Sequence, residues 1–432
     1  MTDPEKTVLS RFERIHPDIR RRFPMLETDG CGNRRIYLNN GAGTMTVDTA
    51  AKVMEHTYRT CNPMPGAAYP AEEATLELHL RTRELIADFL NAPSPHEISF
   101  HFSCTNALFN LAYALRDTVR ADQNVIVTDL DHMANVSPWE EVFGRGKGCE
   151  IRRVPITDEG YLQRDELYSL VDEKTVLFAV TMASNGFGTI VPLKDLIAMV
   201  REKSPGCLVC VDAVHHAQHG PIDVRAIGCD FLVFSGYKIF GPMLGLLWGK
   251  ATVPDTLKPY RVETARNAIP VKFEQGMLPN ASLAAMGAAL EYLLELGLEL
   301  ADEEGWRDLS RPERFAFVMN AVAAYERTIS AAVLEGISCF SPDRFRCYGI
   351  TDPGRCEERD PTFAFDVFGR DASDIKRKLW EEAGVQIADG NHYSAAVYRH
   401  LERSGLCRAS FAHYDNSQTV RAFLDALGRV MG

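Results

Sequence analysis

The chain has 432 residues, long enough for two or three domains, with 46% hydrophobic and 25% charged side chains. That mix belongs to an ordinary globular protein and excludes a disordered or fibrous one. With 59 acidic and 47 basic residues the net charge is −12, which argues against binding nucleic acid or an anionic membrane, since both require basic patches.

The amino terminus, Met1-Thr2-Asp3-Pro4-Glu5-Lys6, has neither the basic start nor the apolar stretch of a secretion signal. The longest apolar runs, such as Val176 to Val180, fall far short of the ~20 residues of a membrane span. Eleven scattered cysteines, an odd number without a visible secretory signal, lead us to expect reduced thiols and a cytoplasmic location. Residues 1–30 read as a charged, helical or irregular arm ending in Arg22-Phe23-Pro24. From Ile36 onward, short apolar strands alternate with amphipathic helices. Strands are predicted at Ile98 to Phe100, Val125 to Thr128, Val176 to Thr181, Leu208 to Asp212 and Phe231 to Phe234, and a helix at Leu193 to Lys203. Strands this continuously apolar are buried on both faces, which predicts an α/β fold with a mostly parallel sheet covered by helices. A long helix follows near Leu283 to Leu296, then a smaller α+β unit with a strand near Thr362 to Val367. The expected division is an arm over 1–30, a large domain over 31–300 and a small carboxy-terminal domain over 301–432. Cys207 and Cys210 have CxxC spacing, but positions three apart on a strand face opposite ways, so they read as core thiols.

Ligands of an open parallel sheet bind beyond the carboxyl ends of its strands. Four successive predicted strands end in polar clusters: Asp131-His132-Met133-Ala134-Asn135, Ser184-Asn185-Gly186, Asp212-Ala213-Val214-His215-His216 and Ser235-Gly236-Tyr237-Lys238. A lysine on a glycine-flanked loop and an aspartate closing another strand suit pyridoxal 5′-phosphate (PLP), which needs an amine for its Schiff base and an anion beside its pyridine nitrogen. Lys238 would be that amine and then a proton shuttle, and Asp212 that anion. His215, His216 and His219 form a local cluster, yet no Glu or Cys stands at zinc-site spacing, and no metal is expected. Gly41-Ala42-Gly43 and Gly186-Phe187-Gly188 do not complete a dinucleotide-binding fingerprint.

The loop Ser235-Gly236-Tyr237-Lys238-Ile239-Phe240-Gly241-Pro242 resembles the Schiff-base loop of class V aminotransferases, the cysteine-desulfurase-like branch of PLP fold type I. Tyr37 to Thr44, Asp131 to Trp139, Ser184 to Thr189, Val211 to His215 and Arg408 to Tyr414 agree in order and spacing. The resemblance implies that His132 stacks on the pyridine face, that Asn185 approaches its phenolic oxygen or the substrate carboxylate, that His215 donates to that oxygen, and that Cys104, Thr105 and Ser235 hold the phosphate. It also implies that Arg408 grips the substrate carboxylate, with Asn40 and Tyr393 as further substrate contacts. A homodimer with active sites at its interface is implied in the same way.

Two departures bear on function. Desulfurases of this branch carry a sulfur-accepting Cys in an Arg-x-Gly-x-His-Cys-Ala pattern, where this chain reads Ala388-Asp389-Gly390-Asn391-His392-Tyr393-Ser394. A phenol cannot carry a persulfide. At Phe273-Glu274-Gln275-Gly276-Met277, relatives have a Gly-Thr whose hydroxyl reaches the phosphate across the dimer, and Met277 has none to offer. The expectation is therefore a PLP enzyme that forms an external aldimine and a Cα carbanion on an amino-acid substrate. Elimination or replacement at Cβ or Cγ would follow, including carbon–carbon bond formation. Transamination, racemisation or epimerisation, cysteine desulfuration and non-catalytic PLP binding are the alternatives. The segment Cys61 to Gly66, with Tyr393 and Met277, is expected to shape the substrate pocket.

Overall fold

The computed structural model describes residues 3–61, 63–252 and 257–432; Asn62, within the segment expected to shape the pocket, lies outside them. Thirteen strands occur among the described residues, in three sheets. β1 is Ile36–Tyr37, β2 Ile98–His101, β3 Asn124–Thr128, β4 Glu150–Val154, β5 Thr175–Thr181, β6 Leu208–Asp212, β7 Phe231–Ser235 and β8 Gly245–Gly249. β9 is Phe345–Tyr348, β10 Thr362–Val367, β11 Val385–Gln386, β12 Ala388–Gly390 and β13 Leu406–Ser410.

The central sheet has seven strands in the order β2-β8-β7-β6-β5-β3-β4. β3, β4, β5, β6 and β7 are parallel, and only β8 runs against its neighbours. All five residues of β3 and of β7 are buried, as continuously apolar strands require when helices cover both faces. Its two faces belong to different apolar clusters: Cys207, Val209 and Val211 pack on one side, Cys210 and Val233 on the other. Cys207 and Cys210 are accordingly free, buried thiols on opposite faces.

Helix Leu193–Lys203 forms where its apolar spacing predicts, burying Leu193, Leu196, Ile197, Met199 and Val200 along one stripe. The run near Leu283 becomes the helix Asn280–Leu300. It is long and apolar enough to cross a membrane, but 78% of its apolar window is buried inside the protein. Beyond it, the 27-residue helix Arg311–Ile337 opens on a capping box between Ser310 and Glu313 and leads into the antiparallel sheet β12-β13-β10-β9.

The amino-terminal segment is tied to that smaller sheet region. β1 pairs in parallel with β11, and Asn39 bridges to Ser410 at the end of β13. The turn Asn40 to Gly43 is thereby carried to the carboxyl ends of the central strands, where a cavity opens.

Candidate active site

A cavity of about 890 Å³ lies at those strand ends, between the central sheet and the β12–β13 region. Four predicted clusters line it: His132 to Ala134 after β3, Asn185 after β5, Asp212 to His215 around the end of β6, and Ser235, Tyr237 and Lys238 after β7. Cys104, Thr105, Tyr393 and Arg408 are also in its wall. Ten of the eleven residues expected to hold cofactor or substrate therefore converge on one space, whereas Met277 and the described residues of the 61–66 segment, expected to shape the pocket, are not in its lining.

Asn40 does not. Its side chain is buried away from the cavity, where Nδ2 donates to the Ser410 carbonyl at 2.8 Å and Oδ1 accepts from the Tyr414 hydroxyl. The expected substrate contact gives way to a brace, in which the amide shares the Ser410 carbonyl with its own backbone N–H and the Tyr414 hydroxyl with the Met45 N–H, so that these buried polar groups are all paired. Its neighbour Gly41 supplies the cavity wall instead.

Lys238 is 6% exposed, and its ammonium donates to the Gly41 carbonyl. Burial, and then the guanidinium of Arg408, bring its pKa down to about 7 against a partial offset from Asp212. The Asp212 carboxyl is buried, which pushes it up to about 6 although it accepts from the Val214 N–H at 2.9 Å and feels the Lys238 charge. His132 accepts from the Ala134 N–H through Nδ1 at 3.0 Å, and burial with the nearby Lys238 and Arg408 charges lowers its pKa to about 4. A neutral imidazole thus faces the cavity. The loop bearing it is pinned by Asp131, whose carboxylate accepts from the Thr128 hydroxyl and from Asn135 Nδ2.

Arg408, on β13, is fully enclosed, and desolvation lowers its pKa to about 10. It donates from Nη1 to the Asn185 carbonyl at 2.6 Å while its Nε has no partner among the described residues. The Asn185 amide, in turn, donates to the His392 carbonyl at 2.8 Å and accepts from the Ser394 hydroxyl at 2.5 Å. Asn185 therefore clamps the 388–394 loop to the sheet. In that loop His392 and Tyr393 take φ values of 49° and 59°, a left-handed pair that bulky residues rarely adopt. Tyr393 is held by the Met133 N–H, which donates to its carbonyl at 2.8 Å, and its ring lies 5.4 Å from that of His132 at the cavity mouth.

The helix Cys104–Leu115 points its amino terminus into the same space, capped by Ser103, whose hydroxyl accepts from the Asn106 N–H at 3.1 Å. β8 approaches its start so closely that a Cβ on Gly245 would sit 2.3 Å from the Ser103 carbonyl carbon. Cys104 is the sole thiol in the lining among the described residues. It donates to the Phe234 carbonyl at 2.8 Å, and burial pushes its pKa up to about 12.

These residues fit PLP. Backbone N–H groups at a helix start and the Ser235 hydroxyl suit its phosphate; a buried carboxylate, a buried amine of depressed basicity and a neutral imidazole suit its ring. Both ring nitrogens of His215 are buried without partners among the described residues, a donor and an acceptor free for a polar group. Missed from the sequence were Gly41, whose carbonyl accepts from the Lys238 ammonium, and the Asn185–Ser394 bond. The signal available for the second was the Ser that follows Tyr393.

Also unforeseen is what meets the histidine cluster. Asp360 accepts from His216 Nδ1 at 3.1 Å and Glu326 pairs with His219 Nδ1 at 2.8 Å, contacts made across 144 and 107 residues of chain.

The strand order, the helix-start cradle and the paired lysine and aspartate define a PLP enzyme of fold type I. The family model for Aminotransferase class-V matches residues 36–307 and 315–423, and the chain belongs to that PLP-dependent family. A cysteine desulfurase of Yersinia pestis (strain Pestoides F) is 30% identical over 97% of this chain and 98% of its own length. One from Pectobacterium atrosepticum is 30% identical over the same shares. Among solved structures, an apo cysteine desulfurase of Thermococcus onnurineus NA1 superposes with a TM-score of 0.83 at 21% identity, covering 96% of this chain and 98% of the other. A cysteine desulfurase of Escherichia coli gives 0.80 at 23%, with the same coverage.

Proposed function

We propose that this enzyme eliminates or replaces a group at Cβ or Cγ of an amino acid. Arg408 binds the substrate carboxylate, its guanidinium already aimed by the Asn185 carbonyl. Lys238, desolvated to a pKa of about 7, takes the Cα proton as a general base near neutral pH and returns it later. Asp212 would keep a proton on the cofactor's ring nitrogen, His132 would pack on the ring face, His215 would donate to the phenolic oxygen, and Asn185 would approach that oxygen or the substrate carboxylate. Cys104, Thr105 and Ser235 would hold the phosphate. When bound, PLP supplies the sink for the electron pair released at Cα. Tyr393, standing at the mouth, contacts the substrate side chain.

The observation that carries this reading is that the Lys238 amine, the Asp212 carboxylate and the Arg408 guanidinium are buried around one cavity while the lip bears a phenol. A desulfurase that accepts sulfur on its own chain needs an accessible thiolate, and Cys104 is held protonated by burial. Cysteine desulfuration to an external thiol is the second reading, favoured by the names of the 30%-identical relatives.

The same proposal takes the enzyme as a homodimer. Phe102, Met243 and Met277 are 61%, 75% and 55% exposed, and Phe102 lies in a crevice with Gln275, Leu278 and Pro279. A second copy of the chain would cover such a patch.

Assay of purified enzyme against amino acids and sulfonium-bearing derivatives tests the proposal. Cofactor-band changes and release of a β- or γ-substituent are expected. Turnover of L-cysteine to alanine at catalytic rates, without added thiol, would overturn it.

A further inference from the structure

Behind the cavity wall lies a cluster of buried polar groups of which the reaction above uses only His215. The turn after β6 contributes His215, His216 and His219; the helix Arg311–Ile337 contributes Glu326; the segment leading into β10 contributes Asp360. All five are buried. His219 Nδ1 is paired to Glu326, leaving its Nε2 without a partner, and one Glu326 oxygen is likewise unpartnered. His215 belongs to this cluster and also lines the cavity, with its ring 5.3 Å from that of His219.

A ring nitrogen of His215, one of His219 and an Asp360 oxygen lie within 4.8 Å of one another. Three atoms so arranged share a point about 2.8 Å or less from each, a good hydrogen-bond length for one water. Zinc would need the set drawn in to roughly 2.0–2.1 Å per nitrogen.

We propose that Glu326 and Asp360 are positioning residues which, with His219 and one ordered water, set the proton arrangement of His215. Through it they set the hydrogen bond His215 offers to the cofactor's phenolic oxygen. The inference rests on the functional reading above, since His215 meets that oxygen only when PLP occupies the cavity. Electrostatics run the same way. Glu326 and Asp360 raise the pKa of His219 against its burial, while His215, facing Lys238 and Arg408 on the cavity side and His216 and His219 behind, is driven to the neutral form by burial and those charges. A neutral imidazole has one donor and one acceptor nitrogen, and its neighbours decide which is which. In this proposed arrangement His219 carries both protons and donates to the shared water from Nε2, which leaves that water to donate to Asp360 and to His215. The proton of His215 then sits on its cavity-facing nitrogen.

Histidine selectively labelled with ¹⁵N tests this in the wild-type enzyme, with and without PLP. His219 is expected doubly protonated at neutral pH and His215 neutral with a single tautomer; a neutral His219, or a His215 that exchanges between tautomers, overturns the proposal. Glu326→Gln keeps an acceptor for His219 Nδ1 but removes the charge, so His219 should lose a proton. The pH midpoint of the bound-cofactor absorption band should move by about half a unit or more at unchanged cofactor content. Asp360→Asn, which removes a negative charge, should lower the same midpoint. Midpoints within about 0.1 unit of wild type in both variants overturn the inference, as does roughly one tightly held zinc per chain. Should Glu326→Gln fail to fold, the labelled wild type and Asp360→Asn decide. A chain that takes up no PLP breaks the functional reading instead, and the labelled histidines then still report on the network.

Discussion

At the inner end of the cavity Lys238, Asp212 and Arg408 are withdrawn from water and their pKa values all move by burial. At its mouth Tyr393 is 72% exposed, and its loop is held by backbone contacts and a clamp from Asn185 rather than by apolar packing. Lys238 and Asp212 sit at strand ends set by a seven-stranded ladder and Arg408 within β13 of the four-stranded sheet; the outer group sits on a turn with two residues in left-handed conformation. The contrast separates two tasks. Proton transfer at Cα needs groups of altered basicity, which only a rigid and dry site provides. Choice of substrate needs a surface that can be replaced without disturbing that site.

Substitutions at the two ends should part accordingly. Lys238→Ala should lower turnover by about 10³-fold or more in steady-state assays and abolish the lysine-linked visible band. Arg408→Lys keeps a charge but loses the planar fork, and kcat/KM should fall roughly 10–100-fold, chiefly through KM. Tyr393→Ala should redistribute kcat/KM among amino acids by about tenfold while leaving the pH profile of turnover unmoved. A pH profile displaced as far as by a change at Lys238 would erase the distinction between the two ends.

The smallest effect is thermal. The folded-state pKa of Lys238, about 7, lies below the ordinary 10.5, so the unfolded chain binds more protons between those values. Stability of the cofactor-free protein should rise with pH across that window. Lys238→Met should therefore melt a few degrees higher than wild type at pH 7, with the gap closing toward pH 10.5. An equal or lower Tm at pH 7 would mean that the amine is hydrated and the inner end is not dry.

Much of this site is legible in the amino-acid sequence. Residues such as Val125 to Thr128 and Phe231 to Phe234 are apolar without alternation, which makes them interior strands, and polar residues directly after such strands fall at one edge of the sheet. Lys238, Asp212 and His132 follow from that reasoning. Asn40 does not, because whether a buried amide turns toward a cavity or toward Ser410 and Tyr414 depends on partners 370 residues or more away. Glu326 and Asp360 are hidden for the same reason: only the packing of the long helix and of the β10 approach against the β6 turn brings carboxylates to the histidines. The reversed strand β8 is missed too, although Gly245-Leu246-Leu247-Trp248 is an apolar run of strand length.

Gly41 links two groups of the inner end. Its carbonyl accepts from the Lys238 ammonium, its N–H donates to the Ser410 hydroxyl at 2.6 Å, and a Cβ there would stand 3.0 Å from the guanidinium carbon of Arg408. Because β1 and the Asn39 bridge tether this turn to β11 and β13, a tug on the first forty residues would reach Lys238 and Arg408 in the same movement. Loosening the amino-terminal tether would thus silence the chemistry well before it unravelled the fold.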